Sequence, residues 1–101
     1  MNFIKNLFKP STDFKQLFSE GAIIIDVRSR EEYNSGHIEG SRNVPLDSLK
    51  KEAAKIKSLN KPVITVCLSG GRSAVAKSIL SGAGIEVYNG GGWSGLKRQL
   101  Q

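Results

Sequence analysis

Apolar residues in this chain form short unbroken blocks and stripes at helical spacing. Ala22-Ile23-Ile24-Ile25 and Val63-Ile64-Thr65-Val66 are continuous and rich in β-branched residues, the pattern of strands buried on both faces. Phe14, Leu17 and Phe18 recur at helical spacing after Asp13, a predicted N-cap with Gln16 three residues on, and Gly21 ends that helix. Ser29 and Glu32 form a capping box for a second helix, stopped by Gly36. Extended chain around Asn43 and Val44 runs to Pro45. Asp47 is placed to cap a longer helix whose stripe is Leu49, Ala53, Ile56 and Leu59. Asn60-Lys61-Pro62 reads as a turn. A helix from about Ser73 carries Val75, Ala76, Ile79, Leu80 and Ala83 and closes at Gly84. Ile85–Tyr88 is a short last strand, Asn89-Gly90-Gly91-Gly92 a turn, and Trp93–Leu100 a terminal helix.

Strands alternating with helices predict an α/β fold with a mostly parallel sheet, its ligand beyond the carboxyl ends of the strands. A length of 101 residues suits one domain, placed at 13–101 after an extension at 1–12. The composition, 39% hydrophobic and 24% charged, is that of an ordinary folded domain. No run of about 18 apolar residues is present, and Lys5 and Lys9 interrupt the apolar start, so the cytoplasm is the expected location. The segment Phe3–Lys9 reads as packing on the domain or fraying, rather than as a membrane contact. The net charge of +6 comes from scattered lysines without interleaved aromatics. Nucleic acid is therefore not an expected partner, whereas a small anion suits the positive field. A monomer is expected.

The single cysteine excludes an internal disulfide, and one Cys with one His cannot build an ordinary structural zinc site. No metal or cofactor is expected. Cys67 directly follows the second strand, in the segment Cys67-Leu68-Ser69-Gly70-Gly71-Arg72-Ser73 that leads into a helix. Such a loop can curl its N–H groups inward as an anion cradle, with Gly70 and Gly71 free to take positive φ. The helix start adds partial positive charge and Arg72 a full one. A thiol there should ionise below the reference of about 8.5. The bland alternative is a buried structural Cys beside a glycine turn. Four residues separate Cys67 from Arg72. Cysteine phosphatases use five, a ring wide enough for phosphate, and no clear aspartate general acid is present, so the tighter ring suits a single sulfur atom.

These residues resemble a known family. Asp26-Val27-Arg28, Glu32-Tyr33, Gly36-His37-Ile38, Gly40 and Asn43-Val44-Pro45 resemble the N-terminal signature of rhodanese domains. The Cys67 loop resembles their active-site loop, and Gly91-Gly92 with Trp93 their late glycine pair and tryptophan. The resemblance runs from about Phe14 to Leu100. It implies a three-layer α/β domain with helices on both faces of the sheet. It also implies a sulfurtransferase in which Cys67 becomes a persulfide. The donor would be a small anion such as thiosulfate, and the acceptor cyanide or a protein or small-molecule thiol. Leu68 departs from the pattern, standing where many thiosulfate-using members carry a basic or polar residue. Ser41 replaces the usual Ala, and Arg42 an apolar residue.

Cys67 is thus the expected nucleophile, with Leu68, Ser69, Gly70, Gly71, Arg72 and Ser73 binding substrate. Asp26 and Arg28 are expected to support the site. Asp26 either orients the active loop or serves as a turn carboxylate. Arg28 and Glu32, four apart, read as a structural pair at the helix start. Arg72 either recruits an anionic donor or ties the loop to Glu31 or Glu32. His37 reads as a turn residue rather than a base, and Trp93 as a core or lid aromatic. The competing functional class is a non-catalytic or sulfur-carrier module acting with a protein partner. A cysteine phosphatase or arsenate reductase is disfavoured by the loop length.

Overall fold

The computed structural model describes residues 12–101. The apolar segment Phe3–Lys9 lies outside them. After Asp13, whose carboxylate accepts the Gln16 N–H, the chain forms α1 (Phe14–Ser19). It continues through β1 (Ile23–Asp26), α2 (Arg30–Asn34), β2 (Arg42–Asn43), a 3₁₀ turn (Leu46–Ser48) and α3 (Leu49–Ser58). Then come β3 (Val63–Cys67), α4 (Gly71–Gly82), β4 (Val87–Gly92) and α5 (Trp93–Leu100). The four strands make one wholly parallel sheet in the order β2-β1-β3-β4.

The continuous strand runs are explained by two cores, one on each face of the sheet. Ile25, Val63, Cys67 and Val87 point to the side covered by α3 and α4, where Leu49, Ala53, Ile56, Ala76 and Leu80 are buried. Ile24, Ile64 and Val66 point to the other side, against Leu96 of α5, with Phe14 and Leu17 of α1 packed around them. Successive residues of a strand face opposite ways, so a strand sandwiched between helix layers is apolar at every position. The architecture is the three-layer α/β arrangement with helices on both faces.

Three local expectations are corrected. The glycine segment 89–92 is no turn but continues the last strand: β4 keeps Val87 and Tyr88 of the expected Ile85–Tyr88, leaves out Ile85 and Glu86, and runs on to Gly92. Gly90 lies so close to β3 that a Cβ there would stand 2.8 Å from Ile64 Cγ2 and 3.0 Å from the Thr65 carbonyl. Glycine permits this approach, which accompanies a register shift between Thr65 and Val66. Asp47 does not cap α3. It sits inside the 3₁₀ turn, and the N-cap position is Ser48, with no side-chain cap bond. Finally, α4 begins at Gly71, two residues before Ser73.

Candidate active site

Cys67 is the last residue of β3, and its side chain is placed at the carboxyl edge of the sheet facing α4. The residue is 1% exposed. The loop beyond it turns back over the sulfur because Gly70 adopts φ 107°, ψ −13°, a left-handed conformation that L side chains resist. That geometry aims the Gly70 N–H at Cys67 Sγ, 2.9 Å away. Ser73 Oγ stands 3.4 Å from the same sulfur. Burial pushes the Cys67 thiol up. The Ser73 hydroxyl and the backbone N–H groups of Ser73, Gly70 and Ser69 outweigh it and hold the thiol below its ordinary value. The sulfur therefore rests among donors that favour its anion. A second sulfur bonded to it, about 2 Å further out, would stay near the same loop.

Residues of the loop divide by what they touch. Leu68 is 61% exposed and stands at the mouth. Gly71 lacks the positive φ expected of it and is simply the first residue of α4. Ser73 is fully buried, and its backbone carbonyl accepts from Thr65 Oγ1 at 2.9 Å.

Arg72 grips Glu32 in a two-pronged pair, Nη1 to Oε1 at 2.7 Å and Nη2 to Oε2 at 2.9 Å. Glu32 is simultaneously half of the capping box, accepting the Ser29 N–H at 3.0 Å. Arg72, followed by the Ser29 N–H, pulls its carboxyl down from 4.5 to about 2. The expected Arg28–Glu32 pair is corrected accordingly. Arg28 reaches only the backbone carbonyl of Glu32, at 3.2 Å.

Arg28 bonds to Asp26 instead, through Nε at 2.9 and 3.1 Å and Nη2 at 2.7 Å. The pair is buried, at 3% exposure for Arg28 and 0% for Asp26. Arg28 also donates to the Gly36 carbonyl at 2.7 Å and lies over the Trp93 ring, 4.7 Å from its centroid. The Asp26 carboxylate is directed to Arg28, including its backbone N–H at 3.1 Å, and not to the Cys67 loop. This is the turn-carboxylate reading. His37 stacks on Tyr33 and meets the Tyr33 carbonyl through Nδ1 at 2.7 Å, so its bonds are local. Arg42 is exposed on the edge strand β2.

Two polar residues at the site were not anticipated. Thr65, within the apolar run of β3, anchors the Ser73 carbonyl. Asn89, taken for a turn residue, accepts from Ser73 Oγ at 2.7 Å. No periodicity marks either one. The only signal for Thr65 is a polar residue set inside a buried strand, and Asn89, in the partly buried β4, carries none. Beside the loop, a depression of about 560 Å³ is lined by Val27, Ser29, Arg30, Pro45, Leu46, Asp47 and Arg72. No group of three or more His, Cys, Asp or Glu among the described residues could hold a metal ion. No helix among them is long and apolar enough to cross a membrane.

A family profile described as rhodanese-like domain matches residues 11–99. The chain is 42% identical over 69 residues to the uncharacterized protein YqhL of Bacillus subtilis, covering 67% of this chain and 54% of that protein. It is 40% identical over 70 residues to the thiosulfate sulfurtransferase PspE of Escherichia coli, covering 67% of each. Among solved structures, a rhodanese with anions from E. coli superposes with a TM-score of 0.66 at 37% identity, over 73% of this chain and 89% of that one. With the cysteine loop, the Asp26–Arg28 turn and the glycine-built last strand in place, this chain belongs to the rhodanese-like domain family.

Proposed function

We propose that this chain is a rhodanese-type sulfurtransferase working through a persulfide on Cys67. The observation that carries the reading is the sulfur itself, held at a strand end under the inward Gly70 N–H with the Ser73 hydroxyl within reach. The Cys67 thiolate attacks the outer sulfur of thiosulfate; the S–S bond of the donor breaks and its electron pair leaves with sulfite. Cyanide or a thiolate then attacks the outer sulfur of the persulfide, and the electron pair of the breaking bond returns to Cys67. Backbone donors already aimed at the sulfur stabilise both its attacking and its leaving form without reorganising. The naming of PspE as a thiosulfate sulfurtransferase supports this choice of chemistry. Intact mass tests it: incubation with thiosulfate should add one sulfur atom, about 32 Da, and cyanide should remove it. Failure to form any adduct with thiosulfate or with an organic persulfide would overturn the reading.

Arg72 serves this reaction chiefly by holding the loop, since its two-pronged pair with Glu32 fixes the plane of the guanidinium. Arg72→Ala and Glu32→Ala should each lower the melting temperature, and the double variant should lower it no further than either single one. Both should slow transfer from a neutral donor about as much as from thiosulfate. The Glu32 carboxyl is depressed when folded, so the tie contributes fully above about pH 4.5 and is lost as pH falls towards about 2. Additive melting shifts, or a loss confined to the anionic donor, would show that Arg72 meets the donor directly.

A further inference from the structure

The Ser73 hydroxyl has one proton and three acceptors around it. Asn89 Oδ1 is at 2.7 Å, the Gly70 carbonyl at 3.1 Å and Cys67 Sγ at 3.4 Å. The shortest contact is to Asn89. The Asn89 amide is itself fixed in orientation: Oδ1 accepts the Gly91 N–H at 2.9 Å, and Nδ2 donates to the Gly70 carbonyl at 3.4 Å. A flipped amide would set a donor against a donor and an acceptor against an acceptor. Asn89 therefore presents an oxygen, not an NH₂ group, to Ser73. With its proton on Asn89, Ser73 turns a lone pair to the sulfur and can accept from a protonated thiol. A negative sulfur needs the opposite arrangement, with the hydroxyl donating to it. The proton must then swing off Asn89, whose oxygen keeps the Gly91 N–H as partner and is not left bare.

We propose that Asn89 is a positioning residue that competes with Cys67 Sγ for the Ser73 proton and so sets how strongly Ser73 holds the sulfur when it is charged. The proposal rests on the sulfurtransferase reading and extends it to a residue on the neighbouring strand β4. In the transfer step an acceptor thiolate attacks the outer sulfur of the protonated persulfide, Cys67–S–SH. The new S–S bond forms on the acceptor, the proton stays on the transferred sulfur, and the electron pair returns to Cys67 Sγ. As that charge develops, the Ser73 proton moves from Asn89 to Sγ. Once a new persulfide forms, Sγ is neutral again and the proton returns. The charged groups on α4, on α2 and at the end of β1 are Arg72 and Lys77, Arg30, Glu31 and Glu32, and Asp26 and Arg28. None is altered by the variants below.

The test follows Cys67 alkylation by iodoacetamide against pH in the full chain, which needs no sulfur donor. Ser73→Ala, which removes the donor, should raise the midpoint by about one unit. Asn89→Ala, which removes the nearer competing acceptor and leaves the Gly70 carbonyl, should lower it by about half a unit. In the Ser73→Ala background, Asn89→Ala should then shift it by less than about 0.2 unit, since its effect passes through the hydroxyl. Should Asn89→Ala fail to fold, Asn89→Asp keeps an oxygen facing Ser73 and Gly91. It should raise the midpoint, and by at least twofold more with Ser73 present than with Ser73→Ala. An unchanged or raised midpoint in Asn89→Ala, or equal shifts in both backgrounds, would overturn the proposal. Loss of sulfur transfer with the coupling intact would instead count against the sulfurtransferase reading alone.

Discussion

Cys67→Ser should gain no mass on incubation with thiosulfate and should lose sulfur transfer to cyanide by about three decades or more, while remaining folded. Serine is nearly isosteric with cysteine, and the position is buried between β3 and α4, so the packing survives. Its hydroxyl stays protonated near neutral pH, and no chain of sulfur can be built on oxygen by the same displacement. Far-ultraviolet circular dichroism and the melting temperature check the fold; intact mass and thiocyanate formation check the chemistry. A variant that still takes up sulfur would move the nucleophile elsewhere, and this chain has no second cysteine to receive the role.

The second large effect is on stability. Asp26→Ala should lower the stability by about 3–5 kcal/mol, because it strands the Arg28 guanidinium in a buried position. For a domain of this size that corresponds to a fall of roughly 15–30 °C in melting temperature. The loss is a large share of the total for an ordinary domain, roughly 5–15 kcal/mol. The carbonyls of Glu32 and Gly36 and the face of Trp93 still hold Arg28, but none carries a full negative charge. Replacing both members, as in Asp26→Leu with Arg28→Met, should be less damaging than Asp26→Ala, since it removes the uncompensated charge as well as the pair. Thermal unfolding of the three proteins checks this. A drop below about 1 kcal/mol for Asp26→Ala would mean that water or another acceptor reaches Arg28 on its loss.

What the sequence made legible follows the reach of each physical signal. The strands Ile23–Asp26 and Val63–Cys67 were visible because burial on two faces forces unbroken apolar runs. The Ser29–Glu32 box was visible because capping is a contact three residues apart. The pairing of Arg72 with Glu32 spans 40 residues, and only as one of several options could the sequence offer it. β4 was misread because Asn-Gly-Gly-Gly carries every turn signal, whereas the real reason for Gly90 is the neighbouring strand. Asn89 was hidden with it. The Arg28 partner was misassigned because spacing of four suggests a helical pair, while the true partner, Asp26, lies two residues back, before α2 begins.

The depth of Cys67 has a further consequence, for what the chain does to its own copies. A disulfide needs its two Cβ atoms at about 3.8 Å. Two molecules whose only cysteine is 1% exposed beneath a loop cannot approach so closely while both loops keep this shape. Oxidative pairing into a covalent dimer, a common fate of an acidic thiol, is thus sterically barred in the folded state. An extra sulfur reaches further out than the thiol does. In the proposed persulfide, a slender acceptor would need to meet only that outer sulfur and not the buried Cys67 Sγ.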